Sequence, residues 1–240
     1  YGIGADGIVL IEGSETANAK MRSFNRDGSE GKMAGNNIRC VAKYLYDNGL
    51  VKSESMAIEA ADGVHSLKLS VRDGKVSTVT VDMGAPTMQA ESLPMLGVNG
   101  EAKNISLTVG GTDYSVSCVS VGNPHCVVFC DSIEDIPLEE IGPLFEHHKA
   151  FPKRVNTEFV RVVNRKTIRA RIWERGNGAT LACGTGACAA VVAAVHNGYC
   201  DMDRDITVKL PGGDLTVCYT NGRVYLTGNA MLVFNGEIEF

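Results

Sequence analysis

Two distant stretches of this sequence are written to one plan. NRDGSEGKMAGNNIRC from Asn25 and ERGNGATLACGTGACA from Glu174 align at a constant offset: Arg26 corresponds to Arg175, Ala34 to Cys183, Gly35 to Gly184 and Asn36 to Thr185. Upstream, Arg22 and Phe24 of KMRSF match Arg171 and Trp173 of RARIW. In each copy an alternating segment reads as a strand, which feeds a polar loop and then a helical pattern. A strand–loop–helix order used twice implies two pseudo-symmetric halves.

Local patterning fills in the rest. VHSLKLSV and KVSTVTVDMG alternate on either side of Asp73-Gly74, a hairpin signal, and late in the chain ITVKL, LTVCYT and VYLTG are punctuated by PGGD and Asn221-Gly222. Helical periodicity predicts helices over Asn36 to Asn48, Ile133 to His148 and Gly184 to Asn197, with Gly49 and Gly198 as stops for the first and last. Strands outnumber helices, so the class is α/β in the α+β sense.

Composition excludes several functions. A formal net charge of -5 gives no large positive field to hold a polyanion, so nucleic acid is not an expected partner. No apolar run approaches the length of a membrane span, and the opening YGIGADGIVLIEG lacks the basic start and cleavage site of a signal peptide. The expectation is a cytoplasmic protein without a membrane partner, lacking an upstream segment. Eight cysteines could suggest disulfides or a metal, yet no C-x-x-C pair occurs and a chain this long needs no disulfide staples. Strand alternation in HCVVFC puts Cys126 and Cys130 on one buried face. His147 and His148 read as the exposed end of a helix. No metal is expected.

Cys183 carries the chemistry. It precedes Gly184-Thr185-Gly186 and an alanine-rich helix, which places its sulfur at a helix N-terminus beside unpaired N–H groups. A free thiol titrates near about 8.5, and such a position lowers that value, which suits a group that takes a proton near neutral pH. The alternative for any one cysteine is buried packing, and Cys188, inside the apolar helix, fits that better. The glycines leave backbone donors for an anion, carboxylate or phosphate. Gly35 and Asn36 open the echoing helix, so two helix N-termini could flank a ligand carboxylate in a cleft between the halves. Asn25, Asn123, His125, Asn156, Glu174 and Arg175 stand in turn-like contexts around these segments; turn asparagines more often serve the backbone.

The motifs NRDGSEGKMAGN, VGNPHC, FPKRVN and WERGNGATLACGTGACA, in this order, resemble those of the diaminopimelate epimerases, and the likeness runs from Gly2 to the C-terminus. The resemblance implies two similar α/β halves, each a mostly antiparallel sheet wrapped around a central helix. Residues 1–84 with 229–240 would form one half, the last stretch returning to it as a strand, and 85–228 the other. It implies an isomerase that interconverts LL- and meso-diaminopimelate on the route to lysine and peptidoglycan, without pyridoxal or any other cofactor, as a homodimer. In that family one cysteine thiolate removes the alpha proton while a second delivers one to the opposite face. By motif, Cys183 is one of these acid/bases. Gly35, Asn36, Gly184 and Thr185 hold the alpha carboxylate; Asn25, Asn123, Asn156, Glu174 and Arg175 hold the rest of the substrate; His125 and Glu174 tune the thiols.

The second catalytic cysteine belongs at position 34, where this chain has Ala34. Alanine moves no proton, and Cys40 lies about 240° further round the helix. Asn37 and Ala179 are lesser departures from the pattern. Three readings of Ala34 stand open: an engineered Cys-to-Ala change, a one-cysteine relative acting as racemase or dehydratase on another amino acid, and a protein that binds an amino acid without turning it over. A cysteine-nucleophile hydrolase would need His125 as base to Cys183.

Overall fold

A computed structural model describes residues 7–25, 28–31 and 35–237. The chain divides into two compact units, one running to Val81 and resuming at Thr227, the other spanning Asp82–Leu226.

In the first unit, β1 (Gly7–Glu12), β2 (Ala19–Asn25), β4 (Ser55–Ala60), β5 (Gly63–Arg72) and β6 (Lys75–Asp82) lie side by side in that order, with the short β3 (Glu30–Gly31) on β2. All pairings are antiparallel except β2 with β4. Helix α1 (Gly35–Asp47) packs on β2, β4 and β5 through Ile38, Val41, Ala42 and Leu45, an i, i+3, i+4, i+7 stripe.

The second unit runs β15 (Arg223–Gly228), β14 (Gly213–Thr220), β13 (Asp205–Leu210), β11 (Thr167–Glu174), β10 (Asn156–Asn164), β9 (Pro124–Phe129), β8 (Thr112–Ser120) and β7 (Ile105–Val109), with β12 (Gly178–Thr180) on β11. Helix α3 (Gly184–His196) touches six of these strands, from β8 across to β14. Its residues from Gly186 through Ala194 are all buried, so this sheet wraps a helix that is apolar on every side. Helix α2 (Leu138–Glu146) packs elsewhere on the unit, where Phe145 meets Tyr114 and Phe159 edge-on at centroid distances of 5.2 and 5.5 Å.

The repeated plan is visible element by element. The run β1, β2, β3, α1, β4, β5, β6 recurs as β10, β11, β12, α3, β13, β14, β15, and β11 pairs with β13 in parallel as β2 does with β4. Both helices are 13 residues long and end alike. Gly49 and Gly198 take positive φ; the next residues, Leu50 and Tyr199, donate backbone N–H to Leu45 and Ala194, while the glycines donate to Tyr46 and Val195. This satisfies carbonyls that a helix end otherwise leaves unpaired. The hairpin turns also form as predicted, with positive φ at Asp73, Gly74, Asn221 and Gly222.

Two expectations are corrected. Helix α2 starts at Leu138 rather than Ile133, because Pro137 disfavours helical geometry at the residue before it and serves as the N-cap. The expected last strand forms no strand over its described residues, 229–237; Met231, Leu232, Val233 and Phe234 are exposed there, and strand-forming residues need a packed face to stay in a ladder.

Candidate active site

Cys183 is the N-cap of α3, with extended backbone and its Sγ accepting a hydrogen bond from Gly186 N–H at 3.4 Å. Thr185 Oγ1 lies 3.5 Å from the same sulfur. Asn123 Nδ2 donates to that Thr185 oxygen at 3.3 Å, and Asn123 Oδ1 lies 3.0 Å from His125 Nε2. Four of the expected site residues are thus one connected group.

The proton affinity of Cys183 is opposite to expectation. Enclosure pushes its thiol well above the ordinary range, the nearby Glu174 carboxylate and Glu158 push the same way, and the hydrogen bonds from Thr185 and Gly186 offset only part of this. The sequence shows the helix N-terminus, which favours thiolate, but not the burial that outweighs it. At neutral pH the group rests as a thiol, ready to give a proton.

A second cluster holds Asn156, Glu174 and Arg175. Asn156 Nδ2 donates to Pro124 O at 3.0 Å, and its Oδ1 accepts from Arg175 N–H at 2.9 Å. The Arg175 guanidinium donates to Lys153 O. Glu174 Oε1 accepts from Thr180 Oγ1 at 2.6 Å across the β11–β12 pair.

In the first unit, Gly35 and Asn36 open α1. Arg39, nearly buried, reaches back along the helix to Gly35 O and Asn36 Oδ1, both at 2.9 Å. Asn25 donates to Ser29 Oγ within its own exposed turn. Ala34 and Arg26 lie outside the described residues. Among the described residues no group of three or more His, Cys, Asp or Glu converges as a metal site, and no described helix is long and apolar enough to cross a membrane.

Two carboxylates escaped the sequence reading. Glu158, fully buried on β10, places Oε1 2.7 Å from His125 Nδ1, and α3 closes on it at Gly186. A charged residue in period-two register with Asn156 and Val160, inside a buried run, was the available signal. Glu146, at the end of α2, accepts from the Trp173 indole at 2.7 Å and from Gly176 N–H at 3.0 Å, which ties down the loop after Arg175.

The family model of diaminopimelate epimerase matches residues 1–89 and 117–233. The chain belongs to the diaminopimelate epimerase family. Diaminopimelate epimerase of Acetivibrio thermocellus is 48% identical over 241 aligned positions, which cover all of this chain and 85% of that protein. The enzyme of that name from Methanococcus maripaludis strain C5 is 47% identical, with 100% and 86% covered. Among solved structures, a probable proline racemase from Agrobacterium radiobacter K84 superposes with a TM-score of 0.70 at 16% identity, over 95% of this chain and 76% of that one. A hydroxyproline epimerase from Agrobacterium vitis gives 0.70 at 17%, over 94% and 74%. Their likeness establishes the fold. In this family member, the segment from Glu174 through Thr185 carries Glu174, Arg175, Cys183 and the start of α3 in one short run between β11 and the helix.

Proposed function

We infer that this chain is an isomerase acting on diaminopimelate in the route to lysine, with Cys183 moving the alpha proton on one face of the substrate. The observation that carries this reading is the Cys183 sulfur at the N-cap of α3, held by Gly186 N–H and beside Thr185, in a chain that belongs to the epimerase family. Backbone donors at Gly184 and Thr185, and the matching pair at Gly35 and Asn36, suit the alpha carboxylate, and their dipoles favour the charge that develops there on deprotonation. Asn25, Asn123, Asn156, Glu174 and Arg175 offer both signs of partner for the distal amino acid group. No cofactor is required as an electron sink, because the helix ends take that part. The assembly and place that go with this reading are a homodimer in the cytoplasm.

Ala34 breaks the symmetry of the reaction. With no proton carrier at that position, Cys183 can remove and return a proton on one face but not invert the centre. The test is deuterium incorporation at the alpha carbon of LL- and meso-diaminopimelate in D2O, with the LL/meso ratio followed for this chain and for Ala34→Cys. Exchange without epimerisation, becoming epimerisation in the variant, is the expected result. Epimerisation by the unaltered chain would refute the role given to position 34. Neither process in either protein would refute diaminopimelate turnover and leave a binder, or a one-cysteine enzyme for another amino acid.

A further inference from the structure

The buried Glu158 has no part in the reaction as described, yet it ends a chain of side chains that leads to the catalytic sulfur. In order, the contacts are Glu158 Oε1 to His125 Nδ1 at 2.7 Å, His125 Nε2 to Asn123 Oδ1 at 3.0 Å, Asn123 Nδ2 to Thr185 Oγ1 at 3.3 Å, and Thr185 Oγ1 to Cys183 Sγ at 3.5 Å. All five residues belong to the second unit.

Donor and acceptor chemistry gives this chain a direction. A carboxamide has one accepting and one donating end, so with Asn123 Nδ2 turned to Thr185, its Oδ1 must accept from His125 Nε2–H. The Thr185 oxygen accepts from Asn123, and toward a Cys183 thiolate, which can only accept, it is the hydroxyl proton that faces Sγ. The sulfur then has two donors, the Thr185 hydroxyl and Gly186 N–H. At the far end, either His125 is doubly protonated against an ionised Glu158, or Nδ1 is bare and Glu158 carries the proton.

Geometry favours the second arrangement. Glu158 is 0% exposed, and its Oε2 has no hydrogen-bond partner among the described residues. An ionised carboxylate would leave charge on that oxygen with no donor to meet it, whereas a neutral carboxyl leaves only a carbonyl oxygen. The titratable groups near it are His125 and Cys126 on β9, Glu174 on β11 and Cys183 on α3, of which only an imidazolium at His125 would favour the charge. Burial raises the Glu158 carboxyl above its ordinary range, His125 pulls it down and Glu174 adds to the rise.

We propose that Glu158 is a positioning residue: as a neutral acid it donates to His125 Nδ1, fixes the Nε2–H tautomer and so orients Asn123 and Thr185 to donate toward the Cys183 sulfur. Every donor in the chain then points the same way, and hydrogen bonds in series strengthen one another. A neutral Glu158 also removes one of the two charges that oppose thiolate formation. This deepens the proposed function and rests on it only for its effect on turnover, since Cys183 needs no substrate to reveal its proton state.

The test uses the resting protein. With histidine labelled in 15N and the four other histidines assigned by substitution, His125 is expected to show a bare Nδ1 and a protonated Nε2 at pH 8. Protonation at both nitrogens would establish the ion pair and overturn the proposal; an Nδ1–H tautomer would mean that the chain runs the other way and would overturn it equally. In parallel, iodoacetamide labelling of Cys183 at pH 8 is read by peptide mass spectrometry, with exposed Cys40 as internal reference. Glu158→Met, which keeps length but loses the donor, is expected to label about tenfold more slowly, while Glu158→Gln, whose amide still donates to Nδ1, stays within about twofold of the parent. Equal slowing in both variants, or none in Glu158→Met, contradicts the assignment. Failure of diaminopimelate exchange with these results intact would count against the substrate alone.

Discussion

A Cβ placed on Gly186 would stand 2.8 Å from Glu158 Oε1 and 2.9 Å from Ile172 Cδ1, so α3 meets β10 and β11 with no space for a side chain. The carboxyl cannot swing aside, because it is buried and bonded to His125. Gly186→Ala should therefore destabilise the fold by about 1–3 kcal/mol through overpacking, even though alanine is the better helix former. Urea unfolding at pH 7 measures this; a parent-like midpoint would mean that the strands give way without cost.

The raised proton affinity of Cys183 sets a pH profile. Below its pKa the thiolate fraction grows about tenfold per pH unit. Because that pKa lies well above neutrality, both alpha-proton exchange and Cys183 alkylation should climb on that slope from pH 7 to pH 9 without levelling. A plateau below pH 8 would show that the helix N-terminus, not burial, governs the thiol.

Stability should record the Glu158 proton. A carboxyl whose folded pKa is raised above its unfolded value of about 4.3 binds more protons in the native state between those two values, so stability falls as pH rises through that window. Glu158→Gln has no such proton. Its stability relative to the parent should grow from pH 5 upward, by roughly 1.4 kcal/mol per pH unit while the window lasts. Chemical denaturation at pH 5, 6, 7 and 8 tests this, and a gap that narrows with rising pH would contradict a neutral Glu158.

Glu146 holds two donors, the buried Trp173 indole N–H and the N–H of exposed Gly176. Glu146→Leu leaves both without their acceptor and should cost about 1–3 kcal/mol for the buried indole, while Gly176 can turn to water. Trp173 is the single tryptophan, so its emission reports the site directly. A red shift with unchanged far-ultraviolet dichroism is expected, and unchanged emission would mean that Trp173 is held by packing against α2 instead. The same variant should raise KM more than it lowers kcat, since the loop it frees carries Arg175.

Whatever depends on near neighbours is legible along the chain. Residue period distinguished α1 and α3 from the strands, Gly49 and Gly198 ended both helices, and Asp73-Gly74 and Asn221-Gly222 turned their hairpins, because backbone preference and turn chemistry act over a few residues. The internal echo was legible for the same reason, as one local order used twice, and the ordered motifs made the family legible. Which residues share an environment is set by packing between elements far apart in the chain. Glu158 meets His125 from 33 residues away because β9 and β10 pair in parallel; Glu146 meets Trp173 from 27 residues away because α2 crosses β11 where Gly142 leaves room for the indole. The Cys183 thiol turned out harder to ionise than its helix position alone suggests, since dehydration and neighbouring carboxyls act through space and are set by packing, which residue spacing along a chain does not record.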